Sequence, residues 1–207
     1  MKYLSNPIPG AWRVLSAFGL APRDQREFLL KMLPRHSVGA EIGVHKGDFS
    51  KRILQTVKPR KLHLIDPWKH ERSEIYKDAW YGGKTPGGQA EMERRYEAVL
   101  ERFCKARASG QVEVHRGASQ EVSRIFSDEY FDWVYIDGNH LYEYVKSDLE
   151  HYCKKVKRGG YLMGDDYGQD GWWAGGVTKA VDEFALSDGV ELVRIKNSQF
   201  ILRRIER

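Results

Sequence analysis

The chain has 207 residues, 41% of them hydrophobic and 30% charged, with a net charge of +5. That length suits one ordinary domain with a full core, and the balance excludes a disordered or fibrous chain. No apolar run approaches the ~20 residues that cross a bilayer, and the broken start MKYLSNPIPGAWRVL lacks the apolar centre of a secretory signal, so a cytoplasmic chain without membrane association is expected. Cys104 and Cys153 are too few for a disulfide framework or a zinc site and are expected as reduced core thiols. Residues 1–60 hold 11 Lys/Arg against 4 Asp/Glu, so the basic surplus lies towards the N-terminus. No RNA- or DNA-binding motif accompanies it. It reads as a solvated surface, and nucleic acid is not the expected partner.

The elements alternate between strand and helix within a single domain. Residues 1–35 form an irregular arm and a helix that starts near Pro22–Asp24, presents Phe28, Leu29, Met32 and Leu33, and stops at Pro34. A strand follows at Val38–Val44, then a helix carrying Phe49, Ile53, Leu54 and Val57, then a strand at Lys61–Ile65. Residues 69–90 break the alternation and read as an inserted lid-like loop. One amphipathic helix carries Met92, Tyr96, Val99, Leu100 and Phe103 and ends at Gly110. Strands are expected at Gln111–His115, Phe131–Ile136 and Tyr161–Gly164, with helices at Ser119–Phe126 and from Leu141 through Val156 to Gly159-Gly160. After a helix at Val177–Ala185, strands Glu191–Lys196 and Gln199–Arg204 are joined by Asn197-Ser198, a link so short that they must be antiparallel. The predicted fold is Rossmann-like α/β: a seven-stranded, mostly parallel sheet with a C-terminal antiparallel hairpin and helices on both faces. That is the class I methyltransferase arrangement; a dehydrogenase domain would end on a further parallel strand.

The stretch VGAEIGVHKGDFS places Glu41, Gly43 and Gly47 between a strand and a helix. Glycines there let the backbone turn sharply and approach a ligand at the strand's carboxyl edge. The acidic Glu41 suits a group with donors and positive charge, such as the amino end of S-adenosylmethionine, and would repel a pyrophosphate. The dinucleotide pattern G-x-G-x-x-G is absent, which argues against NAD or FAD. Asp66 ends the second strand where a carboxylate would accept the ribose hydroxyls, and Gly117, Ala118 and Ser119 lie where the adenine edge would sit.

Asp137-Gly138-Asn139-His140 leaves the fourth strand, and Gly164-Asp165-Asp166-Tyr167 leaves the fifth. Three carboxylates gathered at one sheet edge repel unless a cation or protons intervene, and Mg²⁺ on Asp137, Asp165 and Asp166 would answer that. A bound cation would activate an acceptor hydroxyl, and His140 could take its proton. The plainer readings stand beside these: Asp137 as a helix cap, Asp165-Asp166 as a turn, His140 as a solvent-facing residue of a first turn. Trp172 and Trp173 fit either the core or an apolar wall for the acceptor. His45, His63, His70, His115 and His151 show no ligand spacing and read as solvated or hydrogen-bonded histidines.

The segment FDWVYIDGNHLYEYVKSDLEHYCKKVKRGGYLMGDDY, with the later GVTKAVDEF and NSQFILRR, resembles the macrolide-sugar O-methyltransferases of the macrocin and mycinamicin type, over residues 36–204. The resemblance implies S-adenosylmethionine as cofactor, Mg²⁺ held by Asp137, Asp165 and Asp166, and His140 as base, with Asp137 shared between metal binding and catalysis. Catechol-type enzymes hold a metal similarly but use an amide where Asp166 stands. The short N-terminal arm departs from the sugar enzymes, whose longer arm shapes the acceptor pocket and the oligomer, so acceptor identity and any homo-oligomer do not carry over. The expected activity is Mg²⁺-assisted O-methylation of a small-molecule hydroxyl. A metal-independent enzyme acting on nitrogen or RNA, and a non-catalytic binding module on the same fold, are the alternatives.

Overall fold

The computed structural model describes residues 26–206. The N-terminal arm and the expected start of the first helix therefore lie largely outside the described residues, and α1 is seen as Glu27–Met32. The order continues β1 (Val38–Ile42), α2 (Asp48–Thr56), β2 (Lys61–Asp66), α3 (Gly88–Arg102), α4 (Cys104–Ala108), β3 (Val112–Arg116), α5 (Ser119–Val122), β4 (Phe131–Ile136), α6 (Tyr142–Cys153), β5 (Val156–Gly164), α7 (Gly176–Ala185), β6 (Val190–Lys196) and β7 (Gln199–Arg204). The sheet runs β3-β2-β1-β4-β5-β7-β6. The first five strands are parallel, and β7 pairs antiparallel with both β5 and β6. Sequence progress reverses between β1 and β4, which opens a crevice at the carboxyl ends of those strands.

The period-two alternation of strands feeds two separate cores. Val38, Ala40, Ile42, Val134, Ile136, Leu162 and Leu202 face one side, where α6 and α7 supply Val145, Leu149, Tyr152, Val177 and Val181. Leu62, Leu64, Trp133, Tyr135, Met163 and Ile201 face the other, covered by Leu29, Phe49, Ile53, Met92 and Val99 from α1, α2 and α3. Burial on both faces explains why β1 and β4 read as nearly continuous apolar runs. Among the described residues no helix is long and apolar enough to cross a membrane.

Three boundaries differ from expectation, each for a packing reason. The amphipathic helix ends at Arg102 and restarts at Cys104 because Phe103 turns inward (φ −103°, ψ 15°) to pack beside Gly47. The helix after β4 stops at Cys153, and β5 begins at Val156 rather than Tyr161. Val156 is fully buried, and the excess length bulges between the pairs Phe131–Val156 and Trp133–Tyr161, with Gly159 at φ +78°. Of the two expected core thiols, both free, Cys104 is exposed while Cys153 is half-buried and packs against the core.

Residues 69–90 are anchored at several points, and 88–90 already belong to α3. The buried Arg95 of α3 donates to the Trp80 carbonyl at 2.9 Å and to Thr85 Oγ1 at 3.2 Å. Gln89 bridges the His70 amide and the Trp68 carbonyl. A single 3₁₀ turn, Glu74–Tyr76, buries Tyr76.

Two positions test this packing. A Cβ at Gly39 would lie 2.1 Å from the buried Trp133 ring. Gly39→Ala is therefore expected to cost about 3 kcal/mol or more, read as a melting-temperature drop of several degrees. Asp148, on the core-facing side of α6, is 2% exposed, and burial pushes its pKa from 3.8 to about 7 although Ser119 Oγ donates to it. A raised carboxyl stabilises the fold fully below the unfolded pKa, and that contribution is lost as pH rises towards about 7. Asp148→Asn keeps the acceptor oxygen. Its stability relative to the parent should rise by on the order of a few kcal/mol between pH 4 and pH 7.5 in paired urea melts, and a constant difference would contradict the assignment.

Candidate active site

The site is built on the carboxyl ends of β1, β2, β4 and β5. The Gly43 amide donates to the Ile65 carbonyl at 2.9 Å, and the Asp137 amide donates to the Ile42 carbonyl at 2.8 Å, tying three strand ends together. Gly43 has φ +88°, and a Cβ there would sit 1.8 Å from the Asp137 carbonyl oxygen, so no other residue fits. Gly47, at φ +74°, is the N-cap of α2, and its amide closes the turn on the Val44 carbonyl at 2.8 Å. Around this crevice His45, Trp68 and Asp166 also take positive φ (54°, 41° and 63°), as do six other described non-glycine residues.

Glu41 lies beneath the turn, 2% exposed, and accepts a hydrogen bond from Ser50 Oγ of α2. Burial raises its pKa to about 8; the Ser50 bond pulls the other way, and the nearby charge of Asp137 adds to the rise. A cationic ammonium brought alongside would restore its charge.

Asp66 is placed at the end of β2 as expected, but its oxygens are already engaged. Oδ2 accepts from the Val44 and His45 amides at 2.9 Å each and from the Tyr81 hydroxyl, while Oδ1 accepts from the Trp68 amide at 2.7 Å. Asp66 is 1% exposed, and burial raises its pKa against those bonds. It therefore organises the glycine turn, and a ribose hydroxyl would reach it only by exchanging with Tyr81. At the end of β3 the Gly117 amide bonds the Asp66 carbonyl at 3.2 Å, Ala118 is the N-cap of α5, and Ser119 is held between Asp148 and Tyr152, whose hydroxyl meets the Ser119 carbonyl at 2.9 Å.

At the other end of the crevice, Asp137, His140 and Asp166 come together, with one ligand atom from each lying within 4.8 Å of the others. His140 Nε2 is 3.4 Å from Asp137 Oδ1 and 3.3 Å from Asp166 Oδ2. Both ring nitrogens are buried without a hydrogen-bond partner. Burial depresses the His140 pKa, but the carboxylates of Asp137, Asp166 and Asp165 outweigh it and hold the imidazole above its ordinary value. Asp165 stands apart from this trio. Its Oδ1 accepts from the Asp166 amide at 2.8 Å and from Gln199 Nε2, and its Oδ2 lies 3.8 Å from Arg26 Nη1. Among the described residues the tight group is thus Asp137, Asp166 and His140, with Asp165 sharing Arg26 with Asp137. The two facing carboxylates fit a hard divalent cation such as Mg²⁺, with the imidazole beside them rather than among its ligands.

The aromatic residues answer both earlier readings at once. Trp173 packs on the core, and its edge meets the His140 ring at 4.7 Å; Trp172 lies 6.2 Å from His140 and contacts Tyr76. Tyr76 Oη accepts from Asn139 Nδ2 at 2.8 Å, so the 69–90 segment is hydrogen-bonded to the strand end that carries Asp137. Sequence reasoning missed Arg26, Tyr76, Tyr81 and Gln199. Arg26 Nη1 lies 3.5 Å from Asp137, and its guanidinium stacks 4.2 Å above Phe49. None of the four sits in a spaced motif; only the tertiary approach of their segments brings them to the site. Arg26, Asp165, Asp166, Gln169, Ser198 and Gln199 line an open cleft of about 340 Å³ beside the trio.

Comparison with known proteins agrees with this geometry. The family described as "Methyltransferase domain" matches residues 40–167, more than half of the chain. Cofactor-bound Rv0187 from MTB is similar with a TM-score of 0.64 at 15% identity, covering 96% of this chain and 89% of that one. A candidate caffeoyl-CoA O-methyltransferase from Staphylococcus aureus gives 0.59 at 14% identity, covering 96% and 93%. A candidate rRNA methylase from Clostridium thermocellum gives 0.62 at 8% identity, covering 91% and 99%. At such identities the likeness is one of fold. A stretch of 52 residues, 25% of this chain, is 44% identical to an uncharacterized protein of Acanthamoeba polyphaga mimivirus and spans only 23% of that protein's length. The chain belongs to the methyltransferase-domain family and is an S-adenosylmethionine-dependent methyltransferase.

Proposed function

We propose that the chain catalyses Mg²⁺-assisted O-methylation of a hydroxyl on a polar small molecule, a sugar or a related natural product. The observation that carries this reading is the convergence of Asp137, Asp166 and His140 on one another at the edge of the polar cleft. The likeness to the S. aureus structure and the resemblance to macrolide-sugar O-methyltransferases support the same acceptor chemistry. Asp165 and Asp166 beside the single Arg26 make the cleft a poor match for a phosphodiester backbone, which disfavours RNA as the acceptor.

S-adenosylmethionine, when bound, supplies an electrophilic methyl group and departs as a neutral thioether, so the residues need to supply no acid. Glu41 would meet its ammonium, Gly43 and Gly47 would admit its methionine end, and Gly117, Ala118 and Ser119 would border its adenine. Asp137 and Asp166 would hold Mg²⁺, which when bound lowers the pKa of a neighbouring hydroxyl. His140, whose ring nitrogens make no hydrogen bond although Nε2 lies near Asp137 and Asp166, would receive the acceptor proton. Trp172 and Trp173 hold the imidazole in place and exclude water from its far side. Gln199 and Arg26 hold Asp165 away from His140.

Release of S-adenosylhomocysteine across a panel of hydroxyl acceptors tests the chemistry. Dialysis against EDTA should abolish turnover and added Mg²⁺ restore it; undiminished turnover after EDTA would overturn the metal assignment. His140→Gln should lower kcat by about 10²–10⁴-fold while leaving the calorimetric affinity for S-adenosylhomocysteine unchanged. Gly43→Ala should do the reverse. It should lose that affinity outright, because its Cβ displaces the Asp137 carbonyl.

A further inference from the structure

A second cluster of metal-ligating side chains lies away from the crevice. His63, the third residue of β2, is 2% exposed and shares one face of the sheet with Glu113 and His115 of the edge strand β3. His63 Nδ1 and His115 Nε2 face each other at 2.9 Å, and Glu113 Oε1 is 3.9 Å from His115 Nε2. All three ligand atoms lie within 4.8 Å of one another. β3 is separated from β4 by β2 and β1, and β2 by β1, so this cluster is roughly 10–14 Å across the sheet from β4 at ordinary strand spacing. It takes no part in the proposed chemistry.

We propose that His63 Nδ1, His115 Nε2 and Glu113 Oε1 form a binding site for a borderline-soft divalent cation of the Zn²⁺ class, clamping β3 to β2. Two imidazoles and one carboxylate are a common zinc donor set that leaves one position open, and Mg²⁺ would not choose the nitrogens. Ligands about 2.0–2.1 Å from a tetrahedral ion stand roughly 3.3 Å apart, so the rings need separate by only a few tenths of an ångström. Burial keeps both imidazoles neutral at pH 7: His63 is lowered to about 4, and His115 is lowered too. Their lone pairs are thus available without proton release to solvent. His63 carries one ring proton, and ligation through Nδ1 places it on Nε2, which faces the Tyr130 hydroxyl at 3.1 Å. Tyr130 then serves as the outer hydrogen-bond partner that zinc-ligating histidines ordinarily have. Lys61 Nζ holds Glu113 Oε2 at 2.8 Å and leaves Oε1 to the ion. Phe126 and Phe131 pack edge-on around His63 and exclude water. His115 is two residues before Gly117, so an ion here would also steady the loop bordering the adenine.

The test is titration of chelator-treated full-length protein with Zn²⁺ alone, in competition with a chromophoric chelator, on the parent and on Asp137→Asn, His115→Gln, Glu113→Gln and Tyr130→Phe. The parent and Asp137→Asn should both show a Zn²⁺ equivalent that raises the melting temperature and is missing in His115→Gln. Tyr130→Phe, which removes only the outer partner, should keep the fold and weaken that equivalent about 10–100-fold. Glu113→Gln alters a half-exposed side chain and serves as the second ligand test should His115→Gln fail to fold. Zn²⁺ binding lost in Asp137→Asn but intact in His115→Gln and Glu113→Gln would overturn the site, as would parent protein that binds no Zn²⁺.

Discussion

The turn after β1 is wedged between two neighbours, with Gly43 bonded to Ile65 of β2 and Asp137 bonded to Ile42 from the β4 side. No side chain can be added at Gly43, because the Asp137 carbonyl already occupies the space. This close backbone approach sets the distance between the two halves of the crevice. It places Glu41 and Asp66 beside Asp137 and His140. In the proposed reaction a methyl donor and its acceptor must meet in line, so the contact that closes β1 against β4 would set where transfer happens.

Around that contact the molecule gathers buried carboxyl groups and accommodates each in a different way. Asp66 is surrounded by backbone amides and Tyr81, so its charge is spread into the turn that it organises. Glu41 and Asp148 are each buried with a serine hydroxyl as donor, and burial raises both towards neutrality. Asp137 and Asp166 share an imidazole, while Asp165 is held by Gln199 and lies near Arg26. The first two arrangements are complete within the protein. The third leaves the His140 nitrogens without a hydrogen bond beside two carboxylates, the feature on which the proposed metal site rests.

The strands were legible where both faces are buried: Phe131–Ile136 is bounded in the structure as its sequence reads, because every second residue feeds a different core. The start of β5 was not legible. Lys157, Arg158 and Gly159-Gly160 look like a helix terminus, and only the pairing of Val156 with Phe131 and of Lys157 with Asp132 makes them strand. At the site, Gly43 and Gly47 were legible because the backbone there takes φ +88° and +74°. The surroundings of Asp165 were not legible, because its carboxylate meets Gln199 and Arg26, 34 residues after it and 139 before it. His63 and His115, read as lacking ligand spacing, come together only through β2–β3 register.

The order of strands and helices, the glycine turn and the acidic strand ends follow from periodicity and from conformations that only certain residues adopt, so the sequence by itself determined the fold class and the cofactor class. Tertiary structure decided which carboxylates face one another, which oxygens of Asp66 remain open, and how the 69–90 segment joins the site through Tyr76 and Tyr81. Those outcomes depend on side-chain directions set by long-range packing, and hydrogen bonds and ion pairs act only over a few ångströms. Spacing along a chain can bring residues to the same edge, but only the packed core aims them.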